Sequence, residues 1–126
     1  MSADAPVDVA LAVVRAGDRV LLQRRDRAPF QGQWELPGGK VAAGEDPSQA
    51  AEREAREELG VGARAIRALG VHEHRYPQGL WVRLHAFEVA LDGPPTLGEA
   101  RRWVALDALA ELDVLDGTRP VLARLR

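Results

Sequence analysis

Glu54, Glu57 and Glu58 stand at i, i+3 and i+4 in a stretch that reads as helix, so they share one helix face. Three like charges there repel one another, and Arg53, four positions before Glu57, balances only part of the charge. Taken alone, such a face reads as solvated surface. The opposite stripe changes that reading. Ala51, Ala55 and Leu59 are small or apolar, so the helix packs closely on something and its carboxylates point in a fixed direction. Clustered carboxylates beside a backbone carbonyl make an all-oxygen site suited to Mg²⁺ or Mn²⁺, and the cation would relieve the repulsion. Pro37-Gly38-Gly39-Lys40 lies just upstream. Glycines let backbone approach a ligand, and a lysine is a natural phosphate partner. By itself this tetrapeptide is an ordinary turn.

The spacing joins the two parts. Gly39, five residues, Glu45, seven residues, then Arg53-Glu54-Ala55-Arg56-Glu57-Glu58-Leu59-Gly60-Val61 resembles the Nudix box. Gly39, Glu45, Arg53, Glu54, Glu57, Glu58 and Gly60 stand at its fixed positions, and Ala55 and Val61 at its apolar ones. A chance match of seven such positions is on the order of 10⁻⁷ per start. Trp34-Glu35-Leu36-Pro37-Gly38-Gly39-Lys40-Val41 is similar to the segment before the box in MutT-like members, and the likeness runs along nearly the whole chain.

The resemblance implies a hydrolase that cleaves a nucleoside diphosphate-linked substrate by metal-assisted attack of water. For MutT-like members the substrate is a nucleoside triphosphate, normal or oxidised, released as monophosphate plus pyrophosphate in nucleotide-pool cleaning. It implies Mg²⁺ or Mn²⁺ held by Glu54, Glu57, Glu58 and the Gly38 carbonyl, with Arg53 and Glu45 orienting the carboxylates. Gly39, Lys40 and Arg24 or Arg25 would hold phosphate. Glu99 is the candidate for a further glutamate from a later loop. A base-reading Asn or Asp is expected where this chain has Thr118, with Asp116 close by; one hydroxyl reads a base edge less fully than an amide, so selectivity should be modest. Two alternatives follow the same resemblance: a hydrolase of ADP-ribose or another nucleoside diphosphate-sugar, for which Pro77 stands near a marker position, and a non-catalytic nucleotide-binding module. The short chain favours the triphosphate, and the full set of glutamates favours catalysis.

The elements that must position these residues are legible in part. The alternating run 7–13 and Arg19-Val20-Leu21-Leu22-Gln23, separated by Ala16-Gly17-Asp18, predict a hairpin. Residues 26–33, with Pro29 and Gly32, read as a loop. Asp46 as N-cap, Pro47 at the first position, Gln49 completing a capping box and Gly60 as terminator predict a helix carrying the glutamates. Two β-like runs, 65–76 and 80–91, follow, then a short one at Trp103-Val104-Ala105 and a terminal helix over 120–126. The expected fold is α/β, a Nudix-like α/β/α sandwich with a mixed sheet, formed by one domain over residues 1–126.

Composition sets outer bounds. The chain has 126 residues, 46% hydrophobic and 29% charged, which suits one globular domain. A net charge of −2 gives no global basic field, so a nucleic-acid polymer is not the expected partner. With no cysteine, thiolate nucleophiles and cysteine metal sites are excluded. The start around Asp4 lacks a basic cluster, and the apolar run 9–14 is far short of a membrane span. The expectation is a cytoplasmic protein with a small nucleotide as partner, monomeric or homodimeric. His72 and His74 alternate onto one strand face, but without a third ligand they read as ordinary surface or core residues; Trp34 and Trp81 read as core fillers or base platforms. Arg101-Arg102 and Arg124-Leu125-Arg126 read as solvated faces.

Overall fold

The computed structural model describes residues 5–125; the acidic start at Asp4 and the basic end at Arg126 lie outside the described residues. Eight strands and two helices follow in the order β1 (Val7–Val13), β2 (Arg15–Ala16), β3 (Arg19–Arg24), β4 (Trp34–Glu35), β5 (Gly38–Lys40), α1 (Pro47–Leu59), β6 (Ala63–Arg75), β7 (Trp81–Leu91), β8 (Arg101–Ala105) and α2 (Arg119–Ala123). Two 3₁₀ turns, Leu106–Glu111 and Asp116–Thr118, precede α2.

A mixed sheet runs β5-β1-β7-β6, with β1 and β7 parallel and the other pairs antiparallel. In a second, antiparallel sheet β3 pairs with β2, β4 and β8. The expected hairpin is therefore corrected. The tight turn joins only the two-residue β2 to β3, whereas β1 and β3 belong to different sheets. The reason is burial on both faces of β1. Ala10 and Ala12 pack toward α1, and Leu11 and Val13 pack into the core on the other face. A strand buried on both faces belongs inside a sheet, and β5 and β7 occupy both its edges.

Strand alternation divides the interior in two. On one side Ala50, Ala51, Ala55 and Leu59 of α1 lie against Ala10, Ala12, Leu21 and Val89. On the other, Leu84 and Ala86 of β7, Leu22 of β3, Val104 of β8 and Val121 and Leu122 of α2 share a larger core. This gives the α/β/α order expected from the sequence. Among the described residues no helix is long and apolar enough to cross a membrane.

The capping signals of α1 form as predicted. Asp46 accepts from the Ser48 and Gln49 amides at 2.9 and 3.1 Å, and Gln49 accepts from the Asp46 amide at 3.1 Å. An N-cap of this kind stabilises a helix by about 1 kcal/mol. Gly60 ends the helix with φ 72°, a left-handed conformation that a side chain disfavours. The terminal helix is shorter than the sequence suggests, five residues beginning at Arg119.

Candidate functional site

Alanines on both surfaces let α1 approach β1 and β5 closely, and this sets the site. A Cβ built on Gly39 would lie 2.6 Å from the Glu54 carboxylate, so a side chain there would push Glu54 out of its present position. A Cβ on Gly38 would collide with the Ala10 carbonyl oxygen. The Gly-Gly turn thus serves packing before it serves any ligand.

Arg53 organises the acidic cluster. Its Nε and Nη2 donate to the two oxygens of Glu45 at 2.8 and 3.0 Å, and Nη1 donates to Glu54 at 2.9 Å and Glu57 at 3.4 Å. Nη2 also reaches the Lys40 carbonyl at 3.1 Å, tying helix to turn. The guanidinium, together with the Ala42 amide, holds Glu45 down at about 2. The same carboxylates push the Arg53 pKa further up.

Glu58 is held differently. Its Oε1 accepts from Gln23 Nε2 at 2.7 Å and its Oε2 from the Gly38 amide at 3.0 Å. Burial is the main reason its pKa rises to about 7; the Glu54 and Glu35 charges add to the rise, and the Gln23 and Gly38 hydrogen bonds oppose it. Glu57 is the exposed member, its side chain 59% accessible.

The donor set suits a hard divalent cation: carboxylates and carbonyls, with a carboxyl that burial first, and neighbouring negative charge second, makes reluctant to ionise. Among the described residues, however, no three acidic or histidine side chains stand arranged as a ready ligand cage. Glu54 is turned to Arg53, and Glu58 to Gln23 and Gly38. Holding an ion therefore requires Glu54 and the exposed Glu57 to re-aim locally toward Glu58.

Beyond the Gly-Gly turn opens a cleft of about 360 Å³. Val9, Leu11, Val82 and Leu84 form its apolar wall, Phe30 and Tyr76 its aromatic side, and Lys40 and Thr118 lie on its lining. Phe30 and Tyr76 have ring centroids 4.6 Å apart. Phe30 has φ 68°, a conformation rare for a residue with a side chain and concentrated at functional sites. The Tyr76 hydroxyl accepts from the Gly117 amide at 2.9 Å, anchoring the turn that carries Thr118.

The predicted site residues divide accordingly. Gly38, Gly39, Glu45, Arg53, Glu54 and Glu58 come together, with Glu57 at their margin. Lys40 and Thr118 line the cleft; Thr118 is only 2% exposed. Asp116 is exposed, 3.5 Å from Arg119, and is not on the cleft lining. Glu99 is exposed before β8, and the smaller cavity beside Glu58 is lined by Ala100 and Arg101 instead. Arg24 and Arg25 both line that cavity. Arg25 is also bound to Glu35 at 3.0 Å and to the Pro29 carbonyl at 2.9 Å, and Arg24 lies over the Trp34 ring at 5.7 Å.

Arg101-Arg102 are not merely solvated: Arg101 bonds Gln23 at 3.1 Å, and Arg102 covers Trp34 at 4.7 Å. Arg124 packs against Gly70. Trp34 is a core residue, whereas Trp81 donates to Glu73 at the surface at 3.1 Å. His74 packs edge-on to Tyr76, and His72 carries a buried Nε2 without a partner. Sequence reading missed Gln23, Phe30, Tyr76 and Arg101. None belongs to a local motif, and only the fold brings them to the site.

Comparison with known proteins agrees with this geometry. The NUDIX domain model matches residues 5–125. A putative 8-oxo-dGTP diphosphatase 2 of Mycobacterium tuberculosis is 57% identical over 54 residues, 42% of this chain and 38% of that protein. The chain thus spans well under half the length of that relative. The 8-oxo-dGTP diphosphatase of Escherichia coli is 28% identical over 127 residues, 95% of this chain and 96% of that protein. The crystal structure of a MutT Nudix hydrolase from Burkholderia pseudomallei superposes with a TM-score of 0.89 at 32% identity, covering 98% of this chain and all of that one. Box, fold and site thus agree, and the chain belongs to the Nudix family, among its MutT-like members.

Proposed function

We propose that this protein hydrolyses a nucleoside triphosphate, normal or oxidised, to the monophosphate and pyrophosphate, as a nucleotide-pool cleaning enzyme. The observation that carries this reading is one continuous arrangement. An apolar cleft with an aromatic side, sized for a nucleoside, is bordered by Gly38-Gly39-Lys40, the turn whose Gly38 amide bonds Glu58 and whose Gly39 abuts Glu54.

Each residue then has a role. Phe30 offers a stacking face to a base, and Thr118 a single hydroxyl to its edge. Lys40 meets the phosphate chain as a point charge. Glu54, Glu57, Glu58 and the Gly38 carbonyl are the groups that would hold Mg²⁺ or Mn²⁺, with Arg53 and Glu45 fixing their directions. Bound there, the cation neutralises charge on the phosphate oxygens and makes an attacking water more acidic. A carboxylate of the cluster takes the proton that this water releases.

The 8-oxo-dGTP diphosphatases among the relatives support an oxidised guanine nucleotide as one substrate. Thr118 supports modest rather than strict base selectivity. Pro77 is exposed and off the cleft lining, so it adds nothing to the ADP-ribose alternative. The same reading makes the protein cytoplasmic, monomeric or homodimeric, acting on free nucleotides and not on a nucleic-acid polymer.

Purified protein with Mg²⁺ and a panel of normal and oxidised nucleotides, dinucleoside polyphosphates and nucleotide sugars tests this. Monophosphate and pyrophosphate are the expected products by chromatography. Faster cleavage of ADP-ribose than of every triphosphate would replace the substrate class. No metal-dependent product from any compound would favour a binding module.

A further inference from the structure

We infer that Gln23, held by Arg101, is a positioning residue that fixes Glu58 for the cation. This rests on the reading of the glutamate face as metal-binding. Gln23 sits in β3 directly opposite Arg101 in β8. It lies two residues beyond Leu21 and on the same strand face, the one turned toward α1. Its amide therefore reaches the helix where the core ends.

The orientation of that amide is fixed by its partners. Arg101 Nε can only donate, so the Gln23 oxygen faces it at 3.1 Å and the NH₂ group faces Glu58 at 2.7 Å. Glutamate at this position would have no proton for Glu58, and lysine no acceptor for Arg101. Only an amide of this length serves both. Arg101 is itself held, donating to the Thr96 carbonyl at 3.3 Å, while the Thr96 amide donates to the carbonyl of Leu59, the residue after Glu58. A closed ring of hydrogen bonds thus ties the last turn of α1 to the second sheet. Gln23 takes Oε1 of Glu58 and Gly38 takes Oε2, each with one bond, which leaves a lone pair on each oxygen for a cation.

Mn²⁺ binding to the purified, substrate-free protein, read as free Mn²⁺ by electron paramagnetic resonance, tests the relay. Gln23→Met keeps the length and removes both hydrogen bonds, so it should weaken Mn²⁺ about 10- to 100-fold with the melting temperature little changed. Arg101→Ala should weaken it about fivefold in the wild-type background and not at all in Gln23→Met, because its effect passes through the amide. Unchanged Mn²⁺ affinity in Gln23→Met overturns the inference and leaves the functional reading standing. An equal Arg101→Ala loss in both backgrounds overturns the relay and makes Arg101 act on its own. A wild-type protein that binds no Mn²⁺ overturns the metal reading and the inference with it.

Discussion

The two ends of the candidate site, which meet at Gly38-Gly39, are built on opposite principles. At the glutamate end, charged groups are bonded to one another and to backbone: Arg53 alone donates to Glu45, Glu54, Glu57 and the Lys40 carbonyl. At the other end the walls are valine, leucine and two aromatic rings, with Thr118 as a buried polar residue. The acidic residues of the glutamate end come from one stretch, residues 38–60, set by a turn and one helix, with Gln23 and Arg101 joining Glu58 from the second sheet. The apolar end is assembled from residues around 7–11, 30, 76–84 and 115–118, which meet only through the fold. Chemistry common to many nucleotides fits the first design, because the phosphate chain and its cation do not vary with the base. Choice among bases belongs to the second, whose parts can change without disturbing the box.

The largest expected effect comes from breaking the glutamate end. Glu58→Gln should reduce turnover at least a hundredfold on every substrate, the scale on which losing a metal carboxylate acts. The same variant should alter the metal-free protein's pH dependence. Glu58 titrates near 7 in the fold against an ordinary 4.5. Between these values the folded state binds more protons than the unfolded one. Wild-type stability therefore falls as pH rises from about 4.5 to 7, by up to about 3 kcal/mol. Denaturant titrations in a chelator should show that slope in wild type and its loss in Glu58→Gln. Marked destabilisation of the metal-free variant at pH 8 would mean that the carboxylate serves the fold.

Smaller effects should come from the apolar end. Phe30→Ala should raise KM for a nucleoside triphosphate about twentyfold with kcat nearly unchanged, the value of one stacking face. Steady-state kinetics decides this, and a fall in kcat at constant KM would place Phe30 with the chemistry. Thr118→Asn should sharpen preference for 8-oxo-dGTP over dGTP about tenfold, the worth of one added hydrogen bond. If wild type already discriminates by several orders of magnitude, the weak reading by Thr118 is wrong, and another cleft residue supplies the selectivity.

The same contrast explains what was legible in the sequence. Helix α1, its capping box and its glutamate face follow from residues within one turn or two of each other, and so could be read directly. The spacing from Gly39 to Glu54 could also be read, although the contact of the Glu54 carboxylate with Gly39 could not. The hairpin expectation failed because burial on both faces of β1 is a property of the assembled sheet. Arg101 read as solvated surface because its partner, Gln23, lies 78 positions away in sequence. Phe30 and Tyr76 carry no local pattern at all, and neither does the burial of Thr118.

One measurement meets the division between the two ends directly. The ratio of kcat/KM for 8-oxo-dGTP to that for dGTP would be compared between wild type, Glu57→Gln and Thr118→Asn, with products identified. Division of labour predicts monophosphate and pyrophosphate throughout. It also predicts a large loss in Glu57→Gln with the ratio unchanged, and a shifted ratio in Thr118→Asn. A ratio that moves with Glu57→Gln and stays fixed with Thr118→Asn would contradict it.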